Sequence, residues 1–430
     1  MSIFVFICKT KYAKMSKNKE QKKSHLILIL GLLTAIGPLS IDMYLPAFPD
    51  IARGLHTSVS SVMLSLSSFF IGISVGQLIY GPLLERFGRK KPLYFGLLLY
   101  ALSSAACATA VTVDTLIIFR LFQALGGCVG MVAARAMVRD LFDVKDNAKV
   151  FSTLMLVVAI SPIIAPTLGG YITSLFGWRY IFGVLIVVIF FIIAGIYFLL
   201  PESRKPDASF SLKPSSIIKS YASIIKNPQF GVYTFTGAVA YSGLYAYISG
   251  SPYVFMILFK VSENYYSWIF AIIAAGLIGS SQFNNFMLRR FSSENIIKIV
   301  LYIQNGVGIV LAATSIFGLN NLYVTVILIF MFLCCQGFIF PNASALSMAP
   351  FSQNAGSASA LMGFIQMSIG AVMSAMVSLL QNETSLPMTG IMAACSISAS
   401  ILFSFGRKII VKKASRTLVE EEDIEMINTL

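Results

Sequence analysis

Long apolar runs alternate with short polar breaks along nearly the whole chain, from residue 26 to residue 406. The runs are about 20 residues long, which a helix rising about 1.5 Å per residue needs to cross roughly 30 Å of hydrocarbon. They lack the alternating pattern, in segments of about 10 residues, that builds a membrane barrel. In hydrocarbon every backbone donor and acceptor must bond inside the chain, and a helix does this within one segment. The pattern predicts an all-α membrane protein with twelve transmembrane helices. They are expected over 26–44, 62–81, 93–111, 115–138, 148–173 and 180–200, then over 230–259, 266–288, 296–318, 322–342, 356–380 and 388–406. The seventh run is over-long, so its span starts or ends inside those limits. A polar, basic, proline-containing stretch at 201–228 separates two sets of six. The expected organisation is a basic tail over 1–25, a six-helix bundle over 26–200, a linker over 201–228, a second six-helix bundle over 229–406 and a tail over 407–430.

Composition agrees: 57% of residues are hydrophobic and 12% charged, about half the charge of a soluble chain. The net charge of +14 does not point to nucleic acid, because the bases are placed by topology. They gather in the N-terminal tail, in alternate loops (Arg86, Arg89, Lys90 and Lys91; Arg139, Lys145 and Lys149; Arg204 to Lys226; Arg289 and Arg290) and in the C-terminal tail. The intervening loops hold few, among them Arg53, Arg179 and Lys260. By the positive-inside rule both termini are cytoplasmic, in the inner (cytoplasmic) membrane. The first run is too long for a signal peptide, and Met15 offers an alternative start to Met1. Six Cys, with no Cys-x-x-Cys pair, and two distant His suggest neither a metal site nor a cofactor.

Chemistry-bearing residues concentrate in the first set of spans. Asp42 lies near the end of the first span and Arg120 near the start of the fourth, at similar depth because those spans run in opposite directions. A charge at membrane depth costs roughly 2.5–3.5 kcal/mol on insertion scales, and such groups usually face the bundle interior and pair. The two are expected to meet and form a proton site; the plainer alternatives are a helix exit capped by Asp42 and an Arg120 that snorkels. Asp114 is expected to cap the fourth span. Gly81 to Lys91 carries Glu85, Arg86, Gly88 and Arg89: either a turn with a glycine at each end whose charges form a conformational latch, with Arg139 or Asp140 as a partner, or an ordinary basic loop. A faint copy, Leu288-Arg289-Arg290-Phe291, follows the eighth span about 204 residues later, as parallel repeated halves would give. Pro162, Ala165, Pro166, Gly169 and Gly170 sit in the fifth span, where proline bends a helix and small residues permit close approach. The second half offers amides, including Gln336 and Gln366, and tyrosines, including Tyr241 and Tyr245. These suit packing or flat apolar ligands. Together with Tyr44 and Gln123 they are the expected lining of a substrate cavity.

These motifs resemble the major facilitator superfamily. The loop Gly81–Arg89 is similar to its signature between spans two and three, with Glu85 where Asp is usual. The string Arg120, Gln123, Gly126, Gly130, Arg135, Arg139-Asp140 resembles its proton-coupling motif. The span-five string resembles the antiporter motif of drug exporters. Its Ala165-Pro166, with Ser40-Ile41-Asp42-Met43-Tyr44-Leu45-Pro46 and Gly177-Trp178-Arg179, is similar to the Bcr/CflA drug-resistance subfamily. The resemblance implies two six-helix bundles of the major facilitator fold and a transporter rather than an enzyme. It further implies alternating access, a small-molecule substrate exchanged for protons across the lipid bilayer, a monomer, Asp42 as proton carrier and Arg120 as its partner. Residues 26–41 lack the second acid some relatives carry, which counts against a two-proton stoichiometry. The competing expectation is a carrier of one metabolite, such as an amino acid or sugar.

Overall fold

The computed structural model describes residues 24–142, 144–209, 212–351 and 355–428, without the side chains of 144–149, 151–152 and 411–428. Most of the expected N-terminal tail lies outside the described residues, as do the side chains of Lys145, Lys149 and most of the C-terminal tail. The first bundle contains α1 (24–42), α2 (Phe48–Gly54), α3 (Val59–Phe87), α4 (Lys90–Ala108), α5 (Val113–Leu141), α6 (Val144–Phe176) and α7 (Arg179–Leu199). A short linker helix, α8 (Pro214–Ile225), follows. The second bundle contains α9 (Pro228–Pro252), α10 (Glu263–Met287), α11 (Ser293–Ile316), α12 (Leu322–Met348), α13 (Ala355–Leu379) and α14 (Leu386–Asn428). The described residues contain no strand.

Ten of these helices are long and apolar enough to cross a bilayer. The two remaining expected spans are α4, which opens on Lys90-Lys91-Pro92, and α9, diluted by Gly, Ser, Thr and Tyr. Both pack along full-length neighbours, α4 on α5 and α7, and α9 on α12, α13 and α14. The seventh span resolves as α9 plus a π-helical segment, Tyr253–Leu258, which absorbs its extra length. α14 continues through residue 406 without a break.

Local chemistry sets the helix starts. Ser58, Thr112, Asn227, Ser262, Ser292 and Asn321 each accept a backbone N–H of the first turn of α3, α5, α9, α10, α11 and α12. Each satisfies a donor that hydrocarbon cannot. The cap of α5 is a Thr112–Thr115 box, so Asp114, expected as the cap, is a first-turn residue instead.

Within the first bundle α5 packs against both α3 and α4. The α4 contact is backbone on backbone: a Cβ at Gly126 would lie 2.6 Å from both Gly96 O and Tyr100 N. Gly126→Ala is therefore expected to cost about 1–3 kcal/mol, read as a lower melting temperature in detergent. Gly183→Ala, on α7 with no atom within 4 Å of its Cβ position, should leave melting unchanged.

Candidate functional site

The first span breaks where its acid sits. Helix α1 ends at Asp42, a turn follows at 43–44, and Leu45–Ala47 form one 3₁₀ turn before α2. Pro46 and Pro49 prevent the α-helical ladder from continuing, since neither carries an N–H. The carbonyls near the break then need other donors. Arg120 on α5 supplies one: Nη2 donates to Ser40 O at 3.0 Å, while Nη1 donates to Gln123 Oε1 at 2.6 Å. The Gln123 amide in turn donates to Ser104 Oγ at 2.8 Å. The guanidinium lies between two rings, 4.4 Å from the Tyr44 centroid and 4.1 Å from that of Phe69. Tyr44 is held by Ser65 at 2.8 Å. Arg120 is 0% exposed, and its Nε has no partner.

The expected Asp42–Arg120 ion pair is absent among the described residues. Their depths match, since Arg120 on α5 reaches a carbonyl two residues before Asp42, but the two side chains point in different directions. Arg120 points into the first bundle, whereas Asp42 lies within electrostatic reach of Tyr241, Tyr247 and Tyr266 of the second. Asp42 is buried and has no hydrogen bond or ion pair among the described residues. Tyr44 and Gln123, expected to line a cavity, instead hold the guanidinium inside the first bundle.

The bundles meet along α3 against α13 and α6 against α10. Ser67 pairs with Ser374 at 2.8 Å and Ser74 with Ser368 at 2.6 Å, and Ser267 Oγ donates to Pro166 O at 3.0 Å. These bonds lie from mid-helix towards the end opposite the linker, the far end. The span-five motif serves this seam. Pro166 accepts the Ser267 bond through its carbonyl, and Gly169 passes so close to the α1 break that a Cβ there would lie 2.0 Å from Met43 O. Gly170 faces Ser267 and Asn264, and Ala165 is buried while Pro162 is partly exposed within α6. Tyr245 crosses the seam, its ring edge-on to Phe70 of α3 at 4.8 Å and its hydroxyl donating to Met367 Sδ at 3.5 Å. Tyr241 packs on Tyr245 and Phe340. Gln336 is wholly inside the second bundle, donating to Ala240 O with its Oε1 unpartnered. Gln366 lines a small space with Thr234 and Phe340.

At the linker end the charged loop forms a network. Arg89, 2% exposed, donates from Nε to Asp140 Oδ2 at 2.8 Å and from Nη1 to Glu85 Oε1 at 3.1 Å. Burial opposes its charge, but the bonds to Asp140 and Glu85 outweigh that and hold the guanidinium above its ordinary range. Two expectations are corrected here. Gly81 and Pro82 lie inside α3, which runs to Phe87, so the turn uses Gly88 alone, at φ 80°. Arg139 is exposed and makes no ion pair among the described residues; its neighbour Asp140 is the partner of Arg89.

The linker completes this network, which the loop sequence by itself does not disclose. Glu202 accepts the backbone N–H groups of Arg89 at 2.7 Å and Lys90 at 3.1 Å, capping α4 with a carboxylate. An acid there also suits the positive end of the helix dipole. Ser203 donates to Asp140 at 2.9 Å, Arg204 pairs with Glu85 at 2.8 Å, and Arg86 donates to Asp207 O at 3.3 Å. The only signal in sequence was an acid placed immediately after the sixth span.

Two outcomes are expected. Arg120→Lys keeps the charge but loses the planar fork and the ring contacts. It should destabilise the protein by on the order of 2 kcal/mol, measured by thermal melting. Glu202→Ala removes a cap worth about 0.5–2 kcal/mol. Tryptic cleavage after Arg204 should then be several-fold faster.

Comparison with known proteins fits this geometry. Residues 30–375 match the Major Facilitator Superfamily. The chain is 34% identical to an uncharacterised MFS-type transporter, YdgK, of Bacillus subtilis, over 88% of this chain and 94% of that protein. It is 29% identical to a bicyclomycin resistance protein homologue of Haemophilus influenzae, over 90% and 97%. With multidrug resistance protein D of Escherichia coli it shares 27%, over 81% and 87%. The crystal structure of a D-xylose–proton symporter superimposes with a TM-score of 0.69 at 14% identity, over 88% of this chain and 96% of that one, a likeness of fold. The chain belongs to the Major Facilitator Superfamily of membrane transporters, and its kinship is with Bcr/CflA-type drug-resistance transporters.

Proposed function

We propose that this transporter is a proton-coupled antiporter exporting small drug-like or amphipathic compounds by alternating access. It works as a monomer in the inner (cytoplasmic) membrane, with both termini and the linker on the cytoplasmic side. The observation that carries the reading is Asp42. A buried carboxyl without a fixed counter-charge, placed where two rigid bundles meet, changes the energy of that contact when it gains or loses a proton. Arg120 positions the break that presents it. The kinship with resistance proteins supports drug-like cargo, and the aromatic seam of Tyr241, Tyr245 and Phe70 suits flat apolar molecules. On this reading the far end faces outward, and the Arg89–Asp140–Glu85 network lies at the cytoplasmic surface.

Inside-out vesicles carrying the protein test it, with a panel of dyes and antibiotics and a pH-sensitive lumenal reporter. An acid-inside gradient should drive accumulation of several unrelated compounds and dissipate faster in their presence. Asp42→Asn should abolish gradient-driven accumulation while the protein remains in the membrane. Gradient-driven accumulation at the normal rate in that variant would remove Asp42 from the mechanism, and transport of a single metabolite alone would favour a dedicated carrier.

A further inference from the structure

Helix α8 is held to the protein along one stripe. Ile217 and Tyr221 are half-buried, and Ile224 is 1% exposed, packed beside Phe230 of α9 and Leu361 and Ile365 of α13. Residues three, four and seven apart share a helix face. The next face around the cylinder carries Ile218, Ala222 and Ile225, and it is left open: Ile218 is 64% exposed and Ile225 38%. Lys219 and Lys226 follow, both exposed and without an ion pair among the described residues. Beyond them stand Ser216 and Ser223, also exposed. The stretch 208–227 holds no acid. The acids that precede it are engaged, Asp207 accepting from Ser209 and Glu202 capping α4. Going round α8 from its seat, the order is therefore apolar, basic, hydroxyl.

We propose that α8 lies flat in the cytoplasmic headgroup layer and binds anionic phospholipid. Apolar, basic, hydroxyl is the order of depths across such a layer: acyl chains, phosphates, water. Ile218 and Ile225 enter the acyl boundary. The stems of Lys219 and Lys226 follow the apolar slope, and their ammonium groups reach phosphate. The serines face the cytoplasm. The leaflet is at hand, because α8 rests on the end of α13, a helix long and apolar enough to cross the bilayer. A helix of 12 residues is marginal on its own, so the seat of Ile224 on the second bundle pre-forms the surface that meets the lipid. Each lysine close to an anionic surface favours its binding by roughly fivefold, an attraction that salt screens. The inference is independent of proton coupling and of the cargo.

The test uses the full chain in nanodiscs of phosphatidylcholine, with and without phosphatidylglycerol. Nanodiscs expose both membrane faces, so the readout does not depend on which side the linker occupies. An environment-sensitive fluorophore is placed at Ile218→Cys on a background free of other cysteines, with Ser223→Cys as the reference position. Nitroxide-bearing lipid should quench the label at 218 several-fold more than the label at 223, and aqueous iodide should do the reverse. Phosphatidylglycerol should widen that contrast. High salt, or Lys219→Gln combined with Lys226→Gln, should cancel the widening. If the cysteine-free chain does not accumulate, tryptic cleavage of the unaltered chain after Lys219 and Lys226 serves instead, and it should be several-fold slower in the anionic discs. A label at 218 as open to iodide as the label at 223 overturns the proposal. So does protection at 218 from both quenchers, the mark of a protein segment covering the stripe. Lipid quenching, or tryptic cleavage, that ignores phosphatidylglycerol overturns the binding of anionic lipid.

Discussion

A break in a membrane helix leaves carbonyls that hydrocarbon cannot satisfy, and the first bundle is organised around one such break. Helix α1 stops at Asp42, and Arg120 donates to the Ser40 carbonyl just before it. That guanidinium needs its own support, which Gln123, Tyr44 and Phe69 provide from α5, the α1 break and α3. Its Nε is nonetheless unpartnered, so the charge is held by rings and neutral acceptors rather than by a carboxylate. Pairing it with Asp42 would neutralise both groups and remove the acid from the seam. With Arg120 turned inward, Asp42 is free to face the second bundle.

At the linker end the same economy of donors is met with full charges. Arg89 is buried against Asp140 and Glu85, and Glu202 and Arg204 of the linker close the circuit. The turn that makes this possible depends on Gly88, whose φ of 80° is a conformation other residues adopt only with strain. The chain thus joins its two bundles through a segment that is itself bonded to one of them. Its α8 is in turn seated on the second bundle, where Ile224 packs beside Phe230, Leu361 and Ile365.

The fold was largely legible because hydrocarbon imposes length and apolarity, and both are written plainly in 26–44 or 322–342. The seventh run was less clear: a π-helical segment, Tyr253–Leu258, has the same composition as an α-helix of that length. Asp42 and Arg120 stood out because charges are rare inside spans. Their relation did not, since rise per residue gives depth but not the direction in which a side chain leaves a broken helix. Gly81 and Arg139 were misjudged by proximity in sequence, as Pro82 proved compatible with a continuing helix and Asp140 rather than Arg139 faces Arg89. Glu202 was out of reach for a third reason: it acts on backbone groups more than 100 residues away, and an acid is not unusual where it stands.

The seam itself is closed by hydroxyls. Ser67 with Ser374 and Ser74 with Ser368 can each reverse donor and acceptor, and each can exchange its partner for a water molecule at little net cost. A zipper of that kind aligns the two bundles without locking them. Parting such a seam strands no charge along it, because every bond it gives up is between neutral groups.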